Sequence, residues 1–148
     1  MSGVPFVHLH LHTEYSLLDG STRIQKLPEL VKDQGMNAVA ITDHGNMYGA
    51  IQFYKACHEA GIKPILGSEV YVTADSRLKK DQDNRRYHLI LLAENNIGYR
   101  NLMHIVSEGF VSGFYYKPRV DYEVLRKYSE GIIATSACLG GEIPQHIL

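Results

Sequence analysis

Little in this chain leans toward one extreme of composition. Its formal net charge is −1 across 148 residues, so the overall balance leaves no electrostatic footprint for nucleic acid or an anionic membrane, and any such binding must come from local patches. No apolar run approaches the roughly 20 residues needed to cross a bilayer. The opening Met1-Ser2-Gly3-Val4-Pro5 has no basic segment leading into a signal-type apolar core, and the cytoplasm is the expected location. Cysteine is scarce: Cys57 and Cys138 lie far apart and form no Cys-x-x-Cys pair, which excludes a disulfide framework and leaves each as a buried thiol or a ligand. There is no internal repeat or low-complexity segment. What remains is ordinary: 45% hydrophobic and 21% charged residues, a composition and length that fit one compact domain over 1–148.

Against that background residues 6–20 stand out, Phe-Val-His-Leu-His-Leu-His-Thr-Glu-Tyr-Ser-Leu-Leu-Asp-Gly. Read as a β-strand, the stretch sends His8, His10 and His12 to one face and Val7, Leu9 and Leu11 to the other. Neutral imidazole is the commonest metal ligand, and adjacent same-face histidines can reach one ion or a close pair. The plainer alternative is an exposed strand face that carries histidines.

Downstream, Ser21-Thr22 offers capping hydroxyls before Ile24, Leu27, Leu30 and Val31, whose helical spacing ends at Gly35. Pro28 confines the regular helix to a start near Leu27. Residues 37–42 form a buried strand, closed by Thr42-Asp43-His44-Gly45. Met47, Ala50, Ile51, Tyr54 and Cys57 trace an amphipathic helix ended by Gly61. Residues 63–73 make the next strand with Glu69 embedded in it, 74–86 a solvated loop, and 87–93 a fourth strand. A helix over 97–110, an aromatic and basic loop over 113–119, a short helix capped by Asp121 and a strand over 131–136 complete the order. Strands alternating with helices predict an α/β architecture on a parallel sheet, either a closed barrel or an open doubly wound sheet.

In both architectures sites gather at the carboxyl end of the strands. Asp19, His44, Glu69 and Cys138 fall at or near that end, while His88 sits early in its strand and does not fit it. The proposed set is His10, His12, Asp19, His44, Glu69, His88 and Cys138. Seven donors exceed one tetrahedral zinc, and a carboxylate can bridge, so two or three clustered divalent ions are expected: zinc, or manganese or iron. Such clusters activate a water and stabilise charge on a phosphoryl group, which points to phosphoester hydrolysis. Asp43 is placed as an orienter of a ligand, and Lys117 and Arg119 as phosphate contacts or else as a solvated loop. Taken singly, Asp19 reads equally as a turn residue and Cys138 as a small buried one; His58, His104 and His146 read as structural or solvated.

The motifs His10-Leu-His12-Thr13, Ser16, Asp19-Gly20 and Thr42-Asp43-His44-Gly45 resemble the PHP (polymerase and histidinol phosphatase) family. Ala40-Ile-Thr-Asp-His-Gly-Asn46, Lys63-Pro-Ile-Leu-Gly67, Gly113-Phe-Tyr-Tyr-Lys-Pro-Arg119 and Ser136-Ala-Cys-Leu-Gly-Gly-Glu142 resemble the branch at the N-terminus of the bacterial DNA polymerase III alpha subunit. The resemblance implies a distorted seven-stranded (β/α) barrel, here with about five strand-helix units and without the closing strands and Asp-x-His ligand pair, as in a fragment of a longer DNA-directed DNA polymerase. It implies a metal-dependent 3′–5′ exonuclease, whose partners are a DNA 3′ end, the rest of its own polymerase chain and other subunits of the replicative polymerase. Its alternatives are an inactive platform that binds a proofreading subunit, or a stand-alone histidinol-phosphatase-like enzyme. Many family members carry an acidic residue where His8 stands, so His8 falls outside the ligand set as a supporting neighbour.

Overall fold

The computed structural model describes residues 6–81 and 84–148. Along the chain run α1 (Leu27–Asp33), β1 (Ala38–Ile41), α2 (Ala50–Ala60), β2 (Lys63–Thr73), β3 (Arg86–Ala93), α3 (Asn96–Val111), β4 (Arg119–Val120), α4 (Tyr122–Lys127), β5 (Ile132–Thr135) and α5 (Glu142–Ile147). The expected α/β organisation is present. The regular opening strand is not: residues 6–12 run beside β1 with a bend at His10, tied by Ala40 N–H to the His8 carbonyl and Thr42 N–H to the Leu11 carbonyl. Three residues on one side there span two on the other, and that mismatch prevents a continuous ladder.

The sheet runs β1-β2-β3-β5, with β4 beside the far half of β2. β1 and β4 are parallel to β2, but β3 is antiparallel to both β2 and β5. This departs from the all-parallel sheet expected above, and the cause is local. A parallel partner needs a crossover, usually through a helix, whereas the described parts of the 74–85 connection contain no helix and return the chain directly as β3.

Alternation along β2 divides the molecule into an inner and an outer side. Leu66, Val70 and Val72 face outward into helix-covered cores, and Ile65 joins Ala40, Ile90 and Leu92 on the inner side. Leu27, Val31, Phe53 and Cys57 of α1 and α2 cover Val39 and Ile41, while Leu102 and Ile105 of α3 cover Val70, Val72 and Leu91. On α2 the buried stripe is Ala50, Phe53 and Cys57; Ile51 and Tyr54, expected inside, are exposed. No Ser21 or Thr22 hydroxyl caps α1. Instead the Glu14 carboxylate accepts from the Ile24 N–H at 2.9 Å, and Thr22 pairs with Thr13. Asp121 does cap α4, accepting from the Val124 N–H. Among the described residues no helix is long and apolar enough to cross a membrane.

Candidate metal centre

Glu69 is the centre of the arrangement. It lies on the inner side of β2, wholly buried, two residues from Gly67, where a Cβ would strike the Leu91 carbonyl at 2.6 Å. Its Oε2 lies 2.6 Å from His10 Nε2 and 3.1 Å from His12 Nε2, and its Oε1 contacts His88 Nδ1. Cys138 Sγ is 3.4 Å from His88 Nδ1 and 4.0 Å from Glu69 Oε1. His44 stacks on His12 with ring centroids 4.0 Å apart, and its Nε2 meets Asp19 Oδ2 at 2.7 Å. All seven residues therefore share one place, in three overlapping groups: His10, His12 and Glu69; His12, Asp19 and His44; Glu69, His88 and Cys138.

Topology explains how they meet. His44 bridges to Glu69 just beyond β1, and Cys138 follows β5, so both lie at carboxyl ends of strands parallel to β2. Because β3 is antiparallel, its amino end lies at that same edge, with His88 opposite Tyr71. The residue that fitted least well in the sequence is thus placed by the one reversed strand. The histidines at 10 and 12 are held by Leu11, whose N–H donates to Thr42 Oγ1 at 2.9 Å.

Asp43 is buried beneath this cluster without touching a ring. It accepts from the Thr13 N–H, the Thr13 hydroxyl and the Ser16 hydroxyl at 2.7–2.8 Å. Ser16 Oγ then lies 3.3 Å from His12 Nδ1 and accepts from the His44 N–H. Asp43 therefore reaches the His12 ring only through Ser16. His8 takes no part in the cluster through its ring, which packs edge-on against Phe6.

The charges follow from this packing. Burial alone would push the Glu69 carboxyl up, but hydrogen bonds from His12, His88 and His10 outweigh it and hold it well below the usual carboxylate range. The same hydrogen bond raises His12, whereas burial and the neighbouring His12 lower His44. His44 Nδ1 is buried and has no hydrogen-bond partner among the described residues. An unpartnered imidazole nitrogen facing a carboxylate oxygen at 3.9 Å is a donor set that suits a cation between them. Backbone strain collects here as well. The non-glycine residues with left-handed φ are Leu18, Tyr116 and Ala137, each immediately before Asp19, Lys117 or Cys138.

The two proposed phosphate contacts differ. Lys117 is exposed, with Nζ 5.7 Å from the Tyr71 ring centroid. Arg119 is wholly buried and donates to the carbonyls of Gly113, Lys79 and Arg77, which removes it as a phosphate contact. An exposed arginine that sequence reading passed over, Arg86, lines the same cavity as His44, Asp19 and Lys117. Its signal was its period-two spacing from His88. Ser16, also unassigned earlier, carries the contact to the His12 ring, and Thr13 holds the Asp43 carboxylate that anchors Ser16.

Comparison with known proteins agrees with this architecture. The chain is 52% identical over 146 residues to DNA polymerase III subunit alpha of Borreliella burgdorferi, covering 97% of this chain and 13% of that protein. It is 51% identical over 142 residues to the same subunit of Helicobacter pylori J99, covering 96% of this chain and 12% of that protein. The matched regions are N-terminal parts of those subunits. Among solved structures, a protein described as a metal-dependent phosphoesterase from Bifidobacterium adolescentis shares the fold at a TM-score of 0.50 and 22% identity, over 73% of this chain and 35% of that one. Residues 8–148 match the PHP domain, and the chain belongs to the PHP family.

Proposed function

We propose that this domain is a divalent-metal phosphoesterase of the 3′–5′ exonuclease type within a replicative DNA polymerase alpha subunit, acting on a DNA 3′ end beside the rest of the polymerase chain and its partner subunits. The observation that carries the reading is the gathering of seven donor residues into three overlapping groups, two of which share the one buried carboxylate, Glu69. His10, His12, Asp19, His44, Glu69, His88 and Cys138 would hold two or three ions, with Glu69 and His12 each common to two groups. Nitrogen and oxygen donors suit zinc, manganese or iron, and the single thiol favours zinc. When bound, such ions supply an activated water and neutralise charge on the phosphoryl oxygens. The chain's own residues do the rest. Asp43, held by Thr13, anchors Ser16, which meets the His12 ring and the His44 backbone, and Lys117 and Arg86 meet phosphate at the mouth.

The homology to polymerase subunits favours a nucleic-acid end over the small phosphorylated metabolite of a stand-alone phosphatase. His12→Ala tests the site, because His12 serves two of the three groups. Elemental analysis should show lower metal content, and exonuclease assays a matching loss of activity. Metal content unchanged from wild type would remove His12 from the ligand set, and a metal-free wild-type protein would leave the domain as a platform for a proofreading subunit.

A further inference from the structure

Two cavities open on the metal centre and meet at one arginine. The first, about 540 Å³, combines Asp19, His44 and His88 with Tyr48, Phe110 and Lys117. The second, about 720 Å³, holds Arg85, Tyr115, Tyr116 and Gly140. Arg86 and His88 line both. They stand two apart on β3 and so share a face. Arg86 is exposed, and its guanidinium has no hydrogen-bond or ion-pair partner among the described residues.

The second cavity carries a built aromatic ledge. Tyr115 and Tyr116 meet edge to face at 4.6 Å. Tyr116 is 71% exposed and sits at the tip of a turn closed by the Tyr115 N–H to the Lys117 carbonyl, in a left-handed backbone that aromatic residues rarely adopt. Beneath it the buried Arg119 guanidinium lies 5.2 Å from the Tyr115 ring centroid and fixes that ring. Tyr116 thus meets Tyr115 on one side and leaves most of its ring open to the cavity that Arg85 and Arg86 also line. Stacking faces interleaved with cations are what an unpaired nucleic-acid strand requires.

We propose that the two cavities seat the two nucleosides flanking one phosphodiester bond. The terminal nucleoside lies against Tyr48 and Phe110, the preceding one stacks on Tyr115 and Tyr116, and Arg86 at the junction holds the phosphate between them. A phosphomonoester fills a single seat; the second seat makes Arg86 and Tyr116 the residues that select a strand end. Bases held in separate cavities are parted from each other, which an unpaired end permits and a duplex resists. This inference rests on the phosphoesterase reading for the bond that is cut, but not for the seats themselves.

The test is photocrosslinking of the complete protein with a short oligo(dT) carrying 4-thiothymidine at the penultimate position, with adducts mapped by mass spectrometry. The expected adduct lies on the peptide containing Tyr115 and Tyr116, with yield falling roughly ten-fold in Arg86→Ala; with the label at the 3′ end, the adduct moves to Tyr48 or Phe110. Adducts mapping only outside both cavities, or a yield undiminished in Arg86→Ala, would overturn the proposal. A second readout is the ratio of kcat/KM for oligo(dT) to that for p-nitrophenyl phosphate. It should drop roughly ten-fold in Tyr116→Ala, and an unmoved ratio counts against the second seat. Crosslinking needs no turnover, so correct adducts in a protein that hydrolyses neither substrate would support the seats while refuting the phosphoesterase reading.

Discussion

A guanidinium that is wholly buried and held by three carbonyl oxygens cannot turn out to meet a phosphate, and Arg119 is in that state, with its ε-nitrogen on Gly113 and its terminal nitrogens on Lys79 and Arg77. Its work is to join the loop after β2 to the loop before β4. Lysine cannot replace it, because one ammonium cannot span three acceptors in the plane that the fork provides. Arg119→Lys should therefore cost about 2–3 kcal/mol, the penalty of leaving buried carbonyls unsatisfied, read as a lower midpoint in urea with unchanged slope. Side chains of this kind mark where sequence reading stops. Arg119 and Lys117 look alike in a basic loop, and only burial separates them. Glu69 was legible for the opposite reason: a carboxylate inside an apolar strand is costly unless something compensates it, so its position alone announced a partner.

Elements add constraints that no single residue carries. Asp121 both caps α4 through the Val124 N–H and receives the Arg77 guanidinium and backbone N–H, and Arg77 also faces Glu108. Burial opposes the Asp121 charge, but the backbone and side-chain hydrogen bonds from Arg77 and Val124 outweigh it, so its carboxyl titrates below the ordinary range. A depressed carboxylate contributes stability that is present above its unfolded value near pH 4 and is lost as pH falls through the lower folded value. Acid unfolding below about pH 4 should accordingly be steeper in wild type than in Asp121→Asn. Chemical denaturation across that range checks it, and equal slopes would deny Asp121 the role. The cap was legible from Asp121 preceding a short helical run. The direction of β3 was not, because strand periodicity is the same in both directions; it is set by a connection too short in structure to cross the sheet. That reversal puts His88 beside Glu69, so the residue left unexplained by sequence became the one most informative about topology.

At the scale of the whole molecule, the candidate donors come from segments that otherwise share little covalent proximity: the irregular stretch before α1, the turn after β1, the middle of β2, the start of β3 and the loop after β5. An ion bound there ties the opening segment, which lacks a regular strand ladder, to both halves of the sheet. Binding that exists only in the folded state stabilises by mass action, about 2.7 kcal/mol at a free metal concentration one hundred times Kd. For a domain of this size that corresponds to an unfolding midpoint higher by about 5–10 °C. Thermal unfolding followed with zinc or manganese, and again after chelation, should show this shift. In Glu69→Gln the shift should largely vanish, because two of the three donor groups lose the carboxylate they share. The variant also separates the ion's contribution from that of the imidazole–carboxylate contacts. Those contacts act without metal, so their loss lowers the chelated midpoint, whereas loss of the ion narrows the gap between metal-loaded and chelated curves. A gap of wild-type size in Glu69→Gln would mean that metal binds this protein elsewhere.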